Sequence, residues 1–320
     1  MASAPLKGNP VASPFRRFPA IVLVSVGLLA AGCSSSAEDT AAPATEVAAV
    51  RTTPASADTT PASAETTAAV AVETTAAPAA VGEIKLVKAG QVTVCSDIPY
   101  APFEYYENGA DGAVIGIDAD LVGAITADNG LQSEFIKTPF DGIFAALAAG
   151  SCDIIASSVS ITDERKKSND FTDPYFTIQQ SILTRSADAA KLTDTPALKG
   201  KKVAAQSATT GADFAKAEGA KNGFEVTEFQ GADEMITALK AGQVDAVIQD
   251  SPINSYSATK SNGELVITKV FAGAGEAYGF VVPTSNPALK AAMNASLKEL
   301  QDSGKYKEIV SKYLGTAAAG

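Results

Sequence analysis

Two widely separated stretches of this chain follow the same pattern residue for residue. The first is ALAAGSCDIIASS, from Ala146 to Ser158, and the second is ALKAGQVDAVIQD, from Ala238 to Asp250. Each reads as a helix end, a glycine that terminates the helix, and a short apolar strand that ends in polar residues. Any unit in which a strand follows a helix shares some of these features, but the matching spacing favours two similar α/β lobes.

Strand-like and helix-like patterns alternate through both halves of the folded part of the chain. This alternation predicts an α/β fold with two lobes, each a mostly parallel sheet flanked by helices. We expect lobe 1 to comprise residues 83–184 and 270–320, and lobe 2 to comprise residues 185–269. Because the chain returns to the first lobe, it crosses between the lobes twice, which suits a hinge.

The N-terminal part differs in composition. Residues 1–33 combine basic residues with an apolar run of about a dozen residues, which is too short for a membrane span and indicates an export signal. The signal ends in Leu-Ala-Ala-Gly-Cys at Cys33 and resembles a bacterial lipobox, which predicts lipidation of Cys33 and a lipid-anchored, extracytoplasmic protein. A secreted protein with an unmodified Cys33 is the alternative. Residues 34–82 lack aromatic residues and predict a disordered Ala/Thr/Pro/Ser tether.

Composition excludes several classes of function. A net charge of −11 and a pI near 4.6 argue against nucleic-acid partners. The chain contains no histidine, which removes Ser-His and Cys-His catalysis and imidazole metal sites. The sequence gives no indication of a metal or a cofactor.

Two cysteines follow Cys33, namely Cys95 and Cys152. In an exported protein such a pair suggests a disulfide. Strand register argues against it: with Asp97 level with Ser158 on adjacent parallel strands, Cys152 lies about four residues below Cys95, past the Cα limit of roughly 7 Å. The sequence therefore leaves two alternatives, a disulfide between Cys95 and Cys152 or two buried free thiols.

The strand that ends at Ala156 runs into hydroxyl residues and then into a helix start with Thr162 as its N-cap. Ser158, Ser160 and Arg165 therefore lie at the carboxyl end of a strand, where open α/β sheets bind ligands. A guanidinium there can hold a carboxylate through two parallel hydrogen bonds. The alternative is a surface arginine paired with one of the two acidic residues before it.

Three more candidates belong to lobe 1. Asp97 follows the first strand and could either face a ligand or cap the next helix. Tyr100 lies in a loop held by two prolines, so it need not be a core residue. Phe140 opens a helix above the predicted sheet, although it could equally be ordinary core.

Lobe 2 offers two candidate contacts. Thr209 or Thr210 is a natural N-cap for a helix that starts near Gly211, and the free N–H groups there suit a carboxylate, although a simple cap is the alternative. Asp250 ends a strand without an adjacent cation and suits a ligand ammonium. A turn before Pro252 that uses the Asp250 side chain is equally compatible.

Taken in order, these residues resemble the extracellular solute-binding proteins of polar amino-acid ABC transporters over nearly all of residues 85–314. The motifs that carry the resemblance are Ser96-Asp97…Pro102-Phe103-Glu104, Gly116-Ile117-Asp118-Ala119-Asp120-Leu121, Phe140-Asp141-Gly142-Ile143, Ser160-Ile161-Thr162-Asp163-Glu164-Arg165, Asp170-Phe171-Thr172-Asp173-Pro174-Tyr175, Leu198-Lys199-Gly200-Lys201-Lys202-Val203 and Val244-Asp245-Ala246-Val247.

The resemblance implies a periplasmic-binding-protein-like fold that closes on a free polar amino acid and passes it to the permease of an ABC transporter. Arg165, Ser160 and the backbone at Thr210 would hold the α-carboxylate. Asp250 and the backbone of Ser158 would meet the α-ammonium. We expect a monomer that binds without catalysis.

For the ligand side chain, the resemblance implies a sandwich between Tyr100 and Phe140, with Asp97 near its end. One position departs from the family pattern, since many members carry Gly-Thr-Thr or Gly-Thr-Gly where this chain has Ala208 before its two threonines. Alanine adopts positive φ less easily than glycine, so the loop could differ there. The full expected ligand-binding set is Asp97, Tyr100, Phe140, Ser158, Ser160, Arg165, Thr209, Thr210 and Asp250.

Two other functions compete with an amino-acid receptor. A cleft enzyme of the cyclohexadienyl-dehydratase or lytic-transglycosylase type would need a general acid, and no glutamate falls at the strand ends assigned to the cleft. A sensor module would normally be fused to a membrane span. The ligand stays open: Asp97 and Gln249 could favour a basic or amide side chain, and Gln206 leaves the pocket ambiguous.

Overall fold

The computed structural model describes residues 83–273 and 275–315. The predicted signal peptide, the lipidation residue Cys33 and the tether lie outside them. Within the described ranges, every helix is too short or too polar to cross a membrane. Nor do the same ranges bring three or more His, Cys, Asp or Glu side chains together as a metal site.

The strands are β1 (Gln91–Ser96), β2 (Tyr105–Tyr106), β3 (Val114–Ile115), β4 (Gln132–Lys137), β5 (Ile154–Ile155), β6 (Asp170–Phe171), β7 (Phe176–Ile178), β8 (Gln180–Arg185), β9 (Lys202–Gln206), β10 (Glu225–Phe229), β11 (Ala246–Asp250), β12 (Leu265–Val270), β13 (Glu276–Tyr278) and β14 (Val281–Val282). The α-helices are α1 (Ile117–Asp128), α2 (Ile143–Ala148), α3 (Asp163–Lys166), α4 (Thr210–Asn222), α5 (Ala232–Lys240), α6 (Ser251–Lys260), α7 (Pro287–Asp302) and α8 (Lys305–Leu314).

Two five-stranded sheets form the two lobes. Their strand orders are β4-β1-β5-β14-β6 and β10-β9-β11-β8-β12. In each sheet the fourth strand runs antiparallel to both neighbours, and the other strands share one direction. The predicted α/β class and the mostly parallel sheets are therefore confirmed.

The repeated sequence pattern has a matching backbone in each lobe. Gly150 after α2 and Gly242 after α5 adopt left-handed φ values of 71° and 73°, the conformation that commonly ends a helix at glycine. Three residues later, the backbone N–H groups of Asp153 and Asp245 donate to a carbonyl of the neighbouring parallel strand, at 2.8 and 2.7 Å. The two helix–glycine–strand segments therefore place their strand ends at equivalent positions in the two sheets.

Two connecting segments link the lobes. β7 and β13 pair with each other as an antiparallel ribbon between the sheets, as expected of a hinge that the chain crosses twice. The sequence predicts no strand at Gln180–Arg185, yet this segment is β8 and lies between β11 and β12 in the second sheet. The chain thus joins the second sheet directly after β7. Its Ser-Ile-Leu-Thr run is too short and too weakly bounded to predict a buried strand.

The register argument against a disulfide was wrong. Cys95 and Cys152 form a disulfide with their Cα atoms 5.7 Å apart. β5 begins only at Ile154, and Cys95 is level with Ile155. Because Cys152 belongs to the turn that precedes the strand, it does not continue the extended path on which the argument relied.

Candidate ligand-binding site

A small cavity lies between the lobes at the carboxyl ends of β1, β5, β9 and β11. Strand carboxyl ends are where open α/β sheets bind ligands. All nine residues expected to bind ligand line the cavity, and Ser157 and Gln206 join them. The full lining is Asp97, Tyr100, Phe140, Ser157, Ser158, Ser160, Arg165, Gln206, Thr209, Thr210 and Asp250.

The Arg165 guanidinium spans the gap between the lobes. The Thr162 hydroxyl caps α3 by accepting a hydrogen bond from the Arg165 backbone N–H at 3.1 Å, which sets the direction of the side chain. Its Nη1 donates to the Ser160 carbonyl at 2.9 Å, and its Nη2 donates to the Ala208 carbonyl at 3.2 Å. The acidic residues before it pair with Lys166 and Lys167 instead, so the alternative of a surface ion pair for Arg165 is excluded.

Aromatic rings cover one side of this guanidinium. Its central carbon lies 5.4 Å from the Phe140 ring centroid and 5.3 Å from that of Phe144, within the range of a cation–π interaction. Burial lowers the pKa of Arg165, and the nearby Glu276 and Asp250 carboxylates oppose that shift. An arginine stays protonated at neutral pH, so the cavity holds a permanent, partly desolvated cation.

Asp250 forms the anionic wall of the same cavity. Its side chain does not cap α6, so the expected alternative of a local turn is wrong. Instead, the carboxylate accepts hydrogen bonds from the Tyr100 hydroxyl at 3.1 Å, from Gln180 Nε2 at 2.6 Å and from the Tyr278 hydroxyl. Burial raises the pKa of Asp250 to about 6 although these donors favour the ionised form.

Asp97 faces lobe 2 from the end of β1. Its carboxylate accepts a hydrogen bond from Gln206 Nε2 at 2.5 Å, which joins the two lobes and gives the carboxylate a partner other than a helix N-terminus. Burial raises the pKa of Asp97 to about 6. Lys137 lowers that pKa, and the Asp233 and Asp141 carboxylates raise it. Asp97 is therefore the carboxylate that lines this end of the cavity, with one cation and two further carboxylates near enough to affect it.

The N-terminus of α4 supplies backbone donors. The Thr209 hydroxyl accepts from the Ala212 N–H at 3.1 Å and is the N-cap. Thr210 begins the helix, and its hydroxyl lies 3.5 Å from that of Ser160 in the opposite lobe. Ala208 adopts a φ of 62°, so alanine takes the left-handed conformation for which glycine would be better suited.

Three contributors were missed in the sequence, and Gln206 was considered for the pocket but not included in the expected ligand-binding set. Gln206 and Ser157 lie at strand ends, so the rule that selected Ser158 could have selected them as well. Tyr278 and Gln180 hold Asp250 from the hinge and from β8. No local pattern marks them, because their contacts depend on how the two crossing segments pair.

Comparison with known proteins is consistent with this geometry. Residues 92–316 match the model of the bacterial extracellular solute-binding proteins, family 3. The chain belongs to this family. The family is extracellular by description, which agrees with an extracytoplasmic location.

The matches to individual relatives cover nearly the whole length of each relative. An L-arginine-binding protein of Pseudomonas aeruginosa is 32% identical over 253 residues, which are 73% of this chain and 95% of the relative. An ancestral arginine-binding protein, solved with arginine bound, has a TM-score of 0.66 and 33% identity, covering 71% of this chain and 99% of its own. An ancestral amino-acid-binding protein described as a precursor of cyclohexadienyl dehydratase has a TM-score of 0.64 and 33% identity, covering 70% and 95%.

Proposed function

We propose that this solute-binding protein binds a free polar amino acid between its lobes and delivers it to an ABC importer. One observation carries the proposal: a permanent cation, Arg165, and a buried carboxylate, Asp250, line the same small cavity. A free amino acid carries the complementary pair of charges. Because both lobes contribute contacts, the ligand would bind the closed state more tightly than the open one, and its presence would shift the protein towards closure.

The α-carboxylate would occupy the space beside Arg165 and the start of α4. There it would take hydrogen bonds from the guanidinium, the Ser160 hydroxyl and the backbone N–H of Thr210. Arg165 lines this cavity, and each of its two Nη atoms carries a second N–H besides the one that bonds the Ser160 or Ala208 carbonyl. Charged donors and helix N-termini are the groups that bind carboxylates most strongly.

The α-ammonium would meet Asp250 and the backbone of Ser158. The ligand side chain would then extend between Tyr100 and Phe140 towards Asp97. Asp97 is the carboxylate that lines that end of the cavity, and a cationic side chain would pair with it. We therefore propose arginine as the first ligand to test, in keeping with the arginine-binding relatives.

Calorimetric titration of the protein with each L-amino acid tests the proposal. We expect L-arginine and other polar amino acids to bind, and leucine to bind far more weakly. Two altered ligands are matched controls: L-argininamide lacks the carboxylate, and N-acetyl-L-arginine lacks the ammonium, so both should bind at least about tenfold more weakly. Absence of heat with all twenty amino acids, or equal binding of the altered ligands, would overturn the proposal.

A cleft enzyme is the second candidate, favoured by one observation. Asp97 and Asp250 are buried acids in the cavity with pKa values raised to about 6, and groups that titrate near neutral pH suit general acid catalysis. We propose binding rather than catalysis because Asp250 is occupied by three donors that orient it as an acceptor. Turnover of prephenate or arogenate by the purified protein would reverse that choice.

The remaining proposals concern where the protein acts. We propose that Cys33 is lipidated, that residues 34–82 form a disordered tether, and that the lobes function as a monomer beside a permease. Mass spectrometry of the membrane fraction tests the first of these, since Cys33→Ser should abolish both the lipid mass and the membrane association.

A further inference from the structure

Two fully buried carboxyl groups lie directly behind the strand end that faces the cavity. Glu104 and Asp118 are each 0% exposed. The Ser157 hydroxyl donates to Glu104 Oε1 at 3.1 Å, and the Ser158 hydroxyl donates to Glu104 Oε2 at 3.3 Å. Asp118 Oδ2 accepts from the Ser158 backbone N–H at 2.9 Å. Neither carboxyl lines the cavity, yet together they contact two residues that do.

The position of Glu104 follows from a close backbone approach. Gly116 adopts a φ of 129°, and a Cβ there would lie 2.0 Å from the Phe103 carbonyl. The Phe103 carbonyl also accepts the Asp118 backbone N–H at 2.9 Å. The loop before Glu104 is therefore pressed against the start of α1, which places the Glu104 side chain beside Asp118.

The strand end that they hold is strained. Ser158 adopts a φ of 51°, a conformation that costs a residue with a side chain roughly 1–2 kcal/mol. Ser157 also accepts the Asp97 backbone N–H at 2.9 Å. Through one carboxyl group, Glu104 thus reaches Ser157, Ser158 and the loop that carries Asp97.

The charges around Glu104 are all of one kind. Burial raises the pKa of Glu104 well above the usual range, the Asp118 carboxylate on α1 and the Asp97 carboxylate after β1 add to that rise, and the hydrogen bonds from Ser157 and Ser158 oppose it. The other titratable groups that interact with Glu104 in the described structure are the hydroxyls of Tyr100 and Tyr175, which burial keeps neutral by raising their pKa values. A neutral carboxyl group carries one O–H donor and one acceptor, so in that state Glu104 donates to one serine hydroxyl oxygen and accepts from the other, and one of the two contacts runs in the opposite direction. Asp118 then remains the carboxylate that accepts Ser158 N–H and the Tyr175 hydroxyl.

We propose that Glu104 is a positioning residue for ligand binding: as a neutral acid it holds Ser157 and Ser158 in the conformation that meets the ligand. The inference rests on the proposed function, since it assumes that an amino acid is the ligand. In this proposal, amino-acid affinity depends on the proton of the Glu104 carboxyl group, which does not contact the ligand. Ionisation of Glu104 removes its donor and places two negative charges side by side, so affinity falls as pH rises through the pKa of Glu104.

Two substitutions distinguish the effect of Glu104 protonation from the effect of its side-chain size. Glu104→Gln keeps the size, one donating and one accepting end, and cannot ionise. Glu104→Ala leaves both serine hydroxyls without this partner. Asp153→Asn is the matched control, because Asp153 is a buried carboxylate of the same lobe at the far end of β5, and within the described residues its side chain accepts from the backbone N–H groups of Val87 and Thr93.

The test is titration of the full chain with L-arginine from pH 6.5 to 9.5. We expect Glu104→Ala to weaken binding about tenfold or more at pH 7, Glu104→Gln to retain most of the affinity with a flatter alkaline profile, and Asp153→Asn to lose melting temperature but not affinity. An unchanged affinity in Glu104→Ala, or a glutamine variant as weak as the alanine variant, would overturn the proposal.

Thermal unfolding without ligand provides a second readout. A folded-state pKa above the unfolded value contributes stability at low pH that is lost as pH rises through the folded pKa. The wild type should therefore lose more melting temperature between pH 6.5 and 9.5 than Glu104→Gln. Equal losses of melting temperature in the two proteins would show that Glu104 is not a neutral acid, even if arginine binds. If the wild type binds no amino acid, the proposed function is wrong, and the melting temperatures alone then decide the protonation state of Glu104.

Discussion

The two strand ends that face each other across the cavity have the same backbone origin and opposite chemistry. In lobe 1, β5 leads to Ser157 and Ser158, which line the cavity while their hydroxyls contact the buried Glu104 behind them. In lobe 2, β11 ends in Asp250, whose carboxylate lines the cavity and accepts from Gln180 and Tyr278, which do not line it. The acid is thus the buried partner in lobe 1 and the cavity-lining group in lobe 2.

This reversal shows how one repeated α/β unit can serve both ends of a zwitterion. The helix end, the glycine and the strand match in the two lobes, so the difference lies in the last two residues and their support. Because Arg165 follows the lobe 1 strand end and Asp250 ends the lobe 2 strand, the cation and the anion come from opposite lobes. Closure brings them onto one ligand.

The largest effect should come from removal of the lobe 1 cation. Arg165→Ala should reduce amino-acid affinity by roughly 3–6 kcal/mol, since two charge-assisted hydrogen bonds worth about 1.5–3 kcal/mol each are lost. Calorimetry measures this directly. Arg165→Lys should be intermediate, because a lysine keeps the charge without the planar fork.

Arg185→Ala is the matched control for that variant. Arg185 also donates to two backbone carbonyls, those of Leu239 and Val244 at 2.8 and 2.7 Å, but it is not among the residues that line the cavity. It should lower stability without lowering affinity. Equal losses of affinity in the two variants would mean that Arg165 acts by holding the fold.

The second prediction concerns the disulfide of lobe 1. Its two cysteines are 57 residues apart, and closing a loop of that length stabilises a protein by about 4 kcal/mol in the chain-entropy model. Cys95→Ala with Cys152→Ala should lower the urea midpoint, and reduction of the wild type with dithiothreitol should give a similar loss. A midpoint that is unchanged in both would show that the lobe 1 sheet does not depend on the bridge.

The disulfide also shows where prediction from sequence stops. The repeat and the alternation predicted the two lobes, and the strand-end rule selected Ser158, Ser160 and Arg165, because periodicity and strand polarity are local properties. The full set of nine residues that line the cavity was implied by the family resemblance. The bridge was misjudged because a turn, not a strand, carries Cys152. Tyr278 and Gln180 were missed because pairing of β7 with β13, and insertion of β8 beside β11, bring distant segments to Asp250.

The third prediction is a pH dependence that isolates the lobe 2 acid. Burial raises the pKa values of Asp250 and Asp97 to about 6, and the ligand ammonium needs carboxylates. Affinity should therefore fall as pH drops from 7 to 5. Asp250→Asn should weaken binding by about 1.5–3 kcal/mol at pH 7, and its affinity should vary less with pH, as measured by titration in matched buffers.

Stability should change in the opposite direction over the same range. Since the folded pKa values are raised, the neutral acids stabilise the ligand-free protein at low pH, and that contribution is lost as pH rises through about 6. Urea unfolding of wild type and Asp250→Asn between pH 4.5 and 7 measures the difference. Affinity and stability that both fall on acidification would contradict the assigned pKa shifts.

The smallest effect should come from Ala208, the strained lobe 2 residue whose carbonyl accepts from Arg165 of lobe 1. Ala208→Gly should raise the free energy of unfolding by about 1 kcal/mol or less, because relief of positive φ is partly offset by the greater freedom of glycine in the unfolded chain. Asn262→Gly is the control, since Asn262 has a φ of 53° but asparagine tolerates that region. Because the Ala208 carbonyl accepts from Arg165, an affinity loss in Ala208→Gly would show that the strain holds that carbonyl in place for the cation of the opposite lobe.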